Sequence, residues 1–161
     1  MNNIVYEKIL LTHDGSDVSS TAIPYAQALA KACNAELFIL SVIPSVRMEI
    51  ARISYTGIGG YPVDFSDIAE EIVKECKLNA QKLVEGIKED CLKKGIKIVT
   101  GYVKEGEAED IILSTAKNKH CDMIVMSTHG RSGIDRVLLG SVTEHVIRHA
   151  GCPVLAVHPS V

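Results

Sequence analysis

Short apolar runs bounded by turn residues alternate along this chain with longer stretches whose apolar residues recur every three or four positions. This alternation constrains the fold more than any other feature. Lys8 to His13 is the first such run, and it ends at Asp14-Gly15-Ser16, the chemistry of a turn leading into a helix cap. Ala22, Ala26, Leu29, Ala30 and Cys33 then step at helical spacing, and Pro24 predicts a helix that begins near Thr21 or is kinked. Glu36 to Val42 is a second buried run, closed by Pro44. From Ser66 to Lys94, residues Ile68, Ile72, Cys76, Ala80, Leu83, Ile87 and Cys91 form one stripe, and Lys93-Lys94-Gly95 closes a long amphipathic helix. A strand over Ile96 to Val103, a helix over Glu107 to Lys119 and a strand over Cys121 to Met126 follow. A short helix over Ser141 to His149, with Gly151 as a left-handed stop, leads to a last strand over Pro153 to Val157. Residues 44 to 65 carry Gly57, Gly59 and Gly60 without a clear period, and no element is predicted there.

Strands that are apolar throughout need cover on both faces, and each strand-helix-strand crossover must be right-handed. The expected fold is therefore α/β, a doubly wound five-stranded parallel sheet with helices on both faces and a flavodoxin-like strand order of 3-2-1-4-5. The length of 161 residues suits one core, so a single domain over 1–161 is expected. A hydrophobic fraction of 47% and a charged fraction of 23% exclude a disordered chain. Seventeen Lys and Arg against 20 Asp and Glu leave a net charge of -3, which gives no overall field to hold a polyanion, so nucleic acid is excluded as the main partner. The longest apolar stretch, Leu37 to Ile43, is interrupted by Ser41 and is far shorter than the roughly 20 residues of a membrane span. With no secretion-signal pattern at the N-terminus, a cytoplasmic location is expected. The five cysteines are odd in number, lack a C-x-x-C pair and sit mostly among apolar neighbours, as reduced thiols do.

In an open parallel sheet ligands settle beyond the carboxyl ends of the strands, where the strand order reverses. Here the reversal lies between the first and fourth strands, so Thr12-His13-Asp14-Gly15 and Met126-Ser127-Thr128-His129-Gly130 should face each other. The second of these segments runs on to Gly140, about 13 residues where such a loop usually takes two to six. Its glycines let backbone amides approach a ligand, and it delivers the chain to a helix starting at Gly140-Ser141-Val142-Thr143. Free amides and the helix dipole at such a start favour anions, and the Ser141 and Thr143 hydroxyls add donors. A Walker loop and a G-x-G-x-x-G fingerprint are both absent. Taken singly, the glycines could simply shape turns and Asp14 could simply cap the following helix.

The stretch from Met126 to Val157, together with Asp14-Gly15-Ser16 after the first strand, resembles a universal stress protein, and the resemblance spans essentially the whole chain. The ATP-binding branch of that family carries G-x2-G-x9-G-[ST], which aligns here on position 127, Gly130, Gly140 and Ser141, with Ser127 where the first glycine is expected. The resemblance implies that Asp14 and the backbone of Val42 address the adenosine end of ATP, position 127 the ribose, and Gly130, Gly140, Ser141, Val142 and Thr143 the phosphates. Thr12, His13, Met126, His129 and Arg131 complete the expected nucleotide-binding set. Mg²⁺ or Mn²⁺ would arrive with the nucleotide, bound mainly by its phosphates and water. The resemblance also implies a homodimer, through pairing of the last strand, Pro153 to Val157. The implied role is regulation of a stress response by nucleotide occupancy, read by a protein partner that the sequence does not name. A nucleotide-free dimeric adaptor is the alternative, and Ser127 is the residue that argues for it.

His13 and His129 flank the expected crevice and each is a candidate base for a water beside the terminal phosphate. With no carboxylate pair, arginine finger or dedicated lysine recognisable, slow hydrolysis at most is expected, and no catalytic residue is assigned. His145, His149 and Cys152 have spacing that would supply three zinc ligands, but no fourth is apparent, so no protein-ligated metal site is expected.

Overall fold

A computed structural model describes residues 6–45, 66–129 and 139–158. In chain order its elements are β1 (Lys8–Thr12), α1 (Asp17–Ser20), α2 (Ile23–Cys33), β2 (Glu36–Ile43), α3 (Ser66–Lys93), β3 (Val99–Glu105), α4 (Ala108–Asn118), β4 (Met123–Ser127), α5 (Ser141–His149) and β5 (Val154–Val157). The five strands form one sheet in the order β3-β2-β1-β4-β5, all parallel, as the alternation of the sequence predicts. The register sets Leu10 opposite both Phe38 and Ile124, and Ile124 opposite Val154. Of the stretch expected to lack regular structure, residues 46–65 lie outside the described residues.

Successive side chains on a strand point to opposite faces, so the apolar runs divide between two cores. Ile9, Leu11, Leu37, Ile39 and Val125 pack under α2 and α3, against Ala26, Ala30, Val84 and Ile87. Leu10, Phe38, Leu40, Ile124 and Met126 pack under α4 and α5, against Ile112, Ala116 and Val146. Among the described residues no helix is long and apolar enough to cross a membrane.

Three helices end in the same way. After α2, Ala35 N–H donates to the Ala30 carbonyl and Asn34 N–H to that of Lys31, with Asn34 left-handed at φ 53°. Ile96 and Gly95 repeat the pattern on Cys91 and Leu92 after α3, and Cys121 and His120 repeat it on Ala116 and Lys117 after α4. These paired bonds satisfy carbonyls that the helix itself leaves open, and they turn the chain back toward the sheet.

They also correct two strand boundaries. Ile96 is buried but spends its N–H on the α3 cap, so β3 begins at Val99, not at Ile96. Cys121 likewise closes α4, and β4 begins at Met123. Of the two readings that Pro24 allows, the helix starting near Thr21 holds: α2 begins at Ile23 with Pro24 in its first turn, where the missing N–H costs nothing, and a separate short helix, α1, capped by Ser16, precedes it. Gly151 is not the left-handed stop expected of it. α5 leaves through Ala150 in an extended conformation, which leads directly toward Pro153, and the Pro153 carbonyl accepts from Ile124 N–H at 3.0 Å.

Candidate functional site

The exits of β1 and β4 lie side by side, as the strand order requires, and the start of α5 closes against them. After β1, His13 N–H still bonds to the Leu40 carbonyl at 2.9 Å, holding this exit to β2. The chain then turns at Gly15, whose φ of 88° is a conformation that residues with a Cβ rarely adopt. Asp14 Oδ1 accepts from Ser16 N–H at 3.0 Å and from Ser16 Oγ–H at 2.7 Å, while Ser16 Oγ accepts from Ser19 N–H at 3.1 Å and so caps α1. Asp14 therefore braces the capping residue and does not cap the helix itself.

His13 is buried beneath this turn, only 3% exposed. Gly15 N–H donates to its Nδ1 at 2.9 Å, which leaves the proton on Nε2, 3.1 Å from Ser20 Oγ. Burial lowers its pKa from the usual histidine value, outweighing the opposite pull of neighbouring Asp14. A neutral ring engaged at both nitrogens shapes the turn and is poorly placed to take a proton from water.

After β4, Ser127 Oγ–H donates to the His129 carbonyl, folding the serine side chain back onto its own loop. Thr128 N–H pairs with the Val157 carbonyl at 2.8 Å and Thr128 Oγ1 lies 3.0 Å from His129 Nδ1. Among the described residues His129 Nε2 is buried with no hydrogen-bond partner. Its ring meets that of His158 edge to face, with centroids 5.9 Å apart.

α5 is docked directly on this exit. Gly140 N–H donates to the Thr128 carbonyl at 2.9 Å and Thr143 Oγ1–H to the Ser127 carbonyl at 3.0 Å. Gly140, at the N-cap of α5, has no side chain to cap it, and among the described residues the first-turn amides have no side-chain acceptor.

Together these segments bound a cleft of about 140 Å³ whose walls include Thr12, His13, Asp14, Val42, Met126, Ser127, His129 and Val142, all expected from the sequence. Gly140, Ser141 and Thr143 are not in its lining: Gly140 is packed on the β4 exit and the Thr143 hydroxyl proton is committed to Ser127. Gly130 and Arg131 lie outside the described residues. Ser19, Leu40, Ala108 and Ile112, which no sequence motif marks, also line the cleft. Ala108 and Ile112 are four apart on α4, so helical spacing combined with the strand order would have placed them over the end of β2. Of His145, His149 and Cys152, His149 Nδ1 bonds to the His145 carbonyl at 2.8 Å with the two ring centroids 4.2 Å apart, and among the described residues no group of His, Cys, Asp or Glu is gathered to hold a metal ion.

A family model described as the universal stress protein family matches residues 5–158. The chain is 39% identical over 153 residues to Universal stress protein YxiE of Bacillus subtilis, covering 95% of this chain and 99% of the relative. It is 37% identical over 154 residues to Universal stress protein MJ0531 of Methanocaldococcus jannaschii, covering 95% and 82%. The chain belongs to the universal stress protein family. Among solved structures, that of hypothetical protein MJ0577 superposes with a TM-score of 0.80 at 25% identity, over 98% of this chain and 99% of that one. A universal stress protein in complex with cAMP gives 0.65 at 23% identity, over 98% and 100%. An Arabidopsis thaliana family member with AMP bound gives 0.61 at 18%, over 96% and 93%.

Proposed function

We propose that the cleft between the β1 and β4 exits binds an adenine nucleotide, ATP in the first instance, and that its occupancy is the signal this protein contributes to a stress response. The observation that carries the reading is the start of α5, which no side chain among the described residues caps, docked through Gly140 onto the β4 exit beside the cleft. The cleft is smaller than the roughly 300–1,000 Å³ of typical small-molecule sites. It therefore takes the base and ribose, while the phosphates lie outside it, over the amides of Ser141, Val142 and Thr143. Apolar Leu40, Val42, Ile112 and Met126 offer flat walls to a base, and Asp14 is suited to accept from a ribose hydroxyl or an exocyclic amine. The family members bound to cAMP and AMP support an adenine nucleotide as the ligand class.

A divalent cation, Mg²⁺ or Mn²⁺, would be carried by the phosphates and water; Asp14 is the one carboxylate in the described walls, and it already accepts from Ser16. Of the two candidate bases, His13 has both ring nitrogens engaged, which favours slow turnover at most. β5 is an edge strand, and the apolar side chains of Val154, Leu155 and Ala156 are only partly buried, which supports pairing with a second copy. Calorimetric titration with ATP, beside ADP, AMP and adenosine, tests the reading: saturable binding that strengthens with phosphate count supports it, and no heat at millimolar ATP refutes it. The alternative, a dimeric adaptor that uses no nucleotide, rests on Ser127 standing in the cleft wall. It requires that protein freshly isolated from cells carry no nucleotide and that added ATP leave its melting temperature unchanged.

A further inference from the structure

A second cavity, of about 470 Å³, opens at the other end of the sheet between the C-terminal ends of α4 and α5. Cys121, in the turn into β4, and Cys152, in the turn into β5, both line it. Cys121 is buried within the core under these two helices, and Cys152, half-buried, packs against the same cluster, so both side chains lie on one face of the sheet. The pairing of Ile124 with Val154, continued by the bond from Ile124 N–H to the Pro153 carbonyl, sets the two cysteines at the starts of neighbouring strands. Counting back from that pair places Cys152 opposite Asp122, one residue from Cys121; with strands about 4.8 Å apart and about 3.3 Å per residue, their Cα atoms are about 6 Å apart, inside the roughly 4.4–6.8 Å that a disulfide requires. Both are free thiols. Cys91 differs: it is sealed in the opposite core, its sulfur accepting from Gln27 Nε2 at 3.3 Å.

We propose that Cys121 and Cys152 are an oxidisable pair, closed to an intramolecular disulfide by a hydroperoxide that enters this cavity. Cys152 is the more exposed and reacts first. Its thiolate attacks a peroxide oxygen, the O–O bond breaks, and the departing alkoxide or hydroxide takes up a proton, leaving a sulfenic acid on Cys152. The Cys121 thiolate then attacks that sulfur, the S–S bond forms and hydroxide leaves as water. Two thiols give up two electrons and two protons, and the peroxide becomes an alcohol, or water, plus one further water. Burial keeps both groups protonated at neutral pH: the Cys121 thiol is pushed up to about 11, first by burial and then by Cys152 beside it. Cys152 is raised by burial and then by Asp122. The reaction is thus slow near pH 7 and accelerates about tenfold per pH unit as the thiolate fraction grows.

The test exposes the full chain to hydrogen peroxide over a pH series and follows it by intact mass and by peptide mapping without reductant. The wild type should lose the mass of two hydrogens, restored by dithiothreitol, with Cys121 and Cys152 joined in one cross-linked peptide. Cys152→Ser should abolish the loss, and Cys121→Ser should leave a sulfenic acid on Cys152 that dimedone traps. Melting curves of the reduced variants establish that they fold, and the wild-type peptide map decides the matter even where a variant does not. No mass loss, a cross-link between two chains, or one that joins other cysteines overturns the proposal. None of these readouts involves nucleotide.

Discussion

The N–H of Gly140 donates to the Thr128 carbonyl at 2.9 Å, and a Cβ placed on Gly140 would stand 3.2 Å from that same oxygen. The bond and the close approach together fix where α5 begins relative to the end of β4. A methyl group here forces the helix start and the strand exit apart by a few tenths of an ångström. Gly140→Ala is expected to weaken ATP binding about tenfold, about 1.4 kcal/mol, while adenosine binding changes far less. Calorimetry with the two ligands separates an effect on the phosphate end from a general loss of the cleft.

His13 supplies a pH dependence whose sign follows from burial. Its folded-state pKa lies below that of the unfolded chain, so folding favours the neutral ring. The stability it contributes is present above the unfolded value of about 6.5. It declines as pH falls below that value toward the folded pKa, because only the unfolded chain takes up the proton in that window. Melting temperatures measured from pH 8 down to pH 5 should therefore fall in the wild type and fall less steeply in His13→Gln. An unchanged slope in the variant would show that other groups control acid sensitivity.

Gln27 joins α2 to α3 through a compact polar cluster. Its Nε2 donates to Asp90 Oδ2 at 2.7 Å and its Oε1 accepts from Lys94 Nζ at 2.9 Å, while Lys94 also bonds to Asp90 at 2.7 Å. The Lys94 bond, and next that of Gln27, holds the Asp90 carboxyl below its usual pKa. Gln27 is itself buried, so Gln27→Ala removes a partner from each of Asp90, Cys91 and Lys94 and leaves a void. The expected cost is about 1–3 kcal/mol, read by urea unfolding. Lys94→Ala, at a half-exposed position where water replaces the lost partner, should shift the midpoint much less.

Gly101 shows how tightly α3 lies on the sheet. A Cβ at this position of β3 would run into Val84 Cγ1, which faces it from the helix. Gly101→Ala should destabilise the fold by about 1–3 kcal/mol through overpacking. The double variant with Val84→Ala should recover part of that loss, and a thermodynamic cycle over the four proteins measures the coupling.

The sheet was legible in the sequence because its strands, covered on both faces, read as unbroken apolar runs, of which Leu37 to Leu40 is the clearest. Their ends were harder to place where an apolar residue serves a helix cap. Ile96 follows Gly95 and looks like a strand start, yet it closes α3 over Cys91. Gly95 announced that cap, whereas Asn34 and His120 adopt the same left-handed conformation without glycine's signal. At the cleft, the strand exits carried their own markers in Asp14-Gly15 and Ser127 to His129. Ala108 and Ile112 reach it only because α4 lies over β2, a tertiary relationship that local pattern does not encode.

Ser127 is the position at which this chain departs from the glycine motif of the ATP-binding branch. It is 7% exposed, lines the cleft, and donates its hydroxyl proton to the His129 carbonyl. Replacing it by glycine removes a side chain from the wall proposed to face the ribose and frees the loop from one internal bond. Where the first effect dominates, ATP affinity rises, and Ser127→Gly is expected to bind about threefold to tenfold more tightly, less than about 1.4 kcal/mol. Ser127→Ala keeps most of the bulk while losing the bond, so its affinity should stay close to that of the wild type. Calorimetry on the three proteins distinguishes the contributions. If glycine and alanine weaken binding equally, the hydrogen bond to His129, and not the space that Ser127 occupies, governs the site.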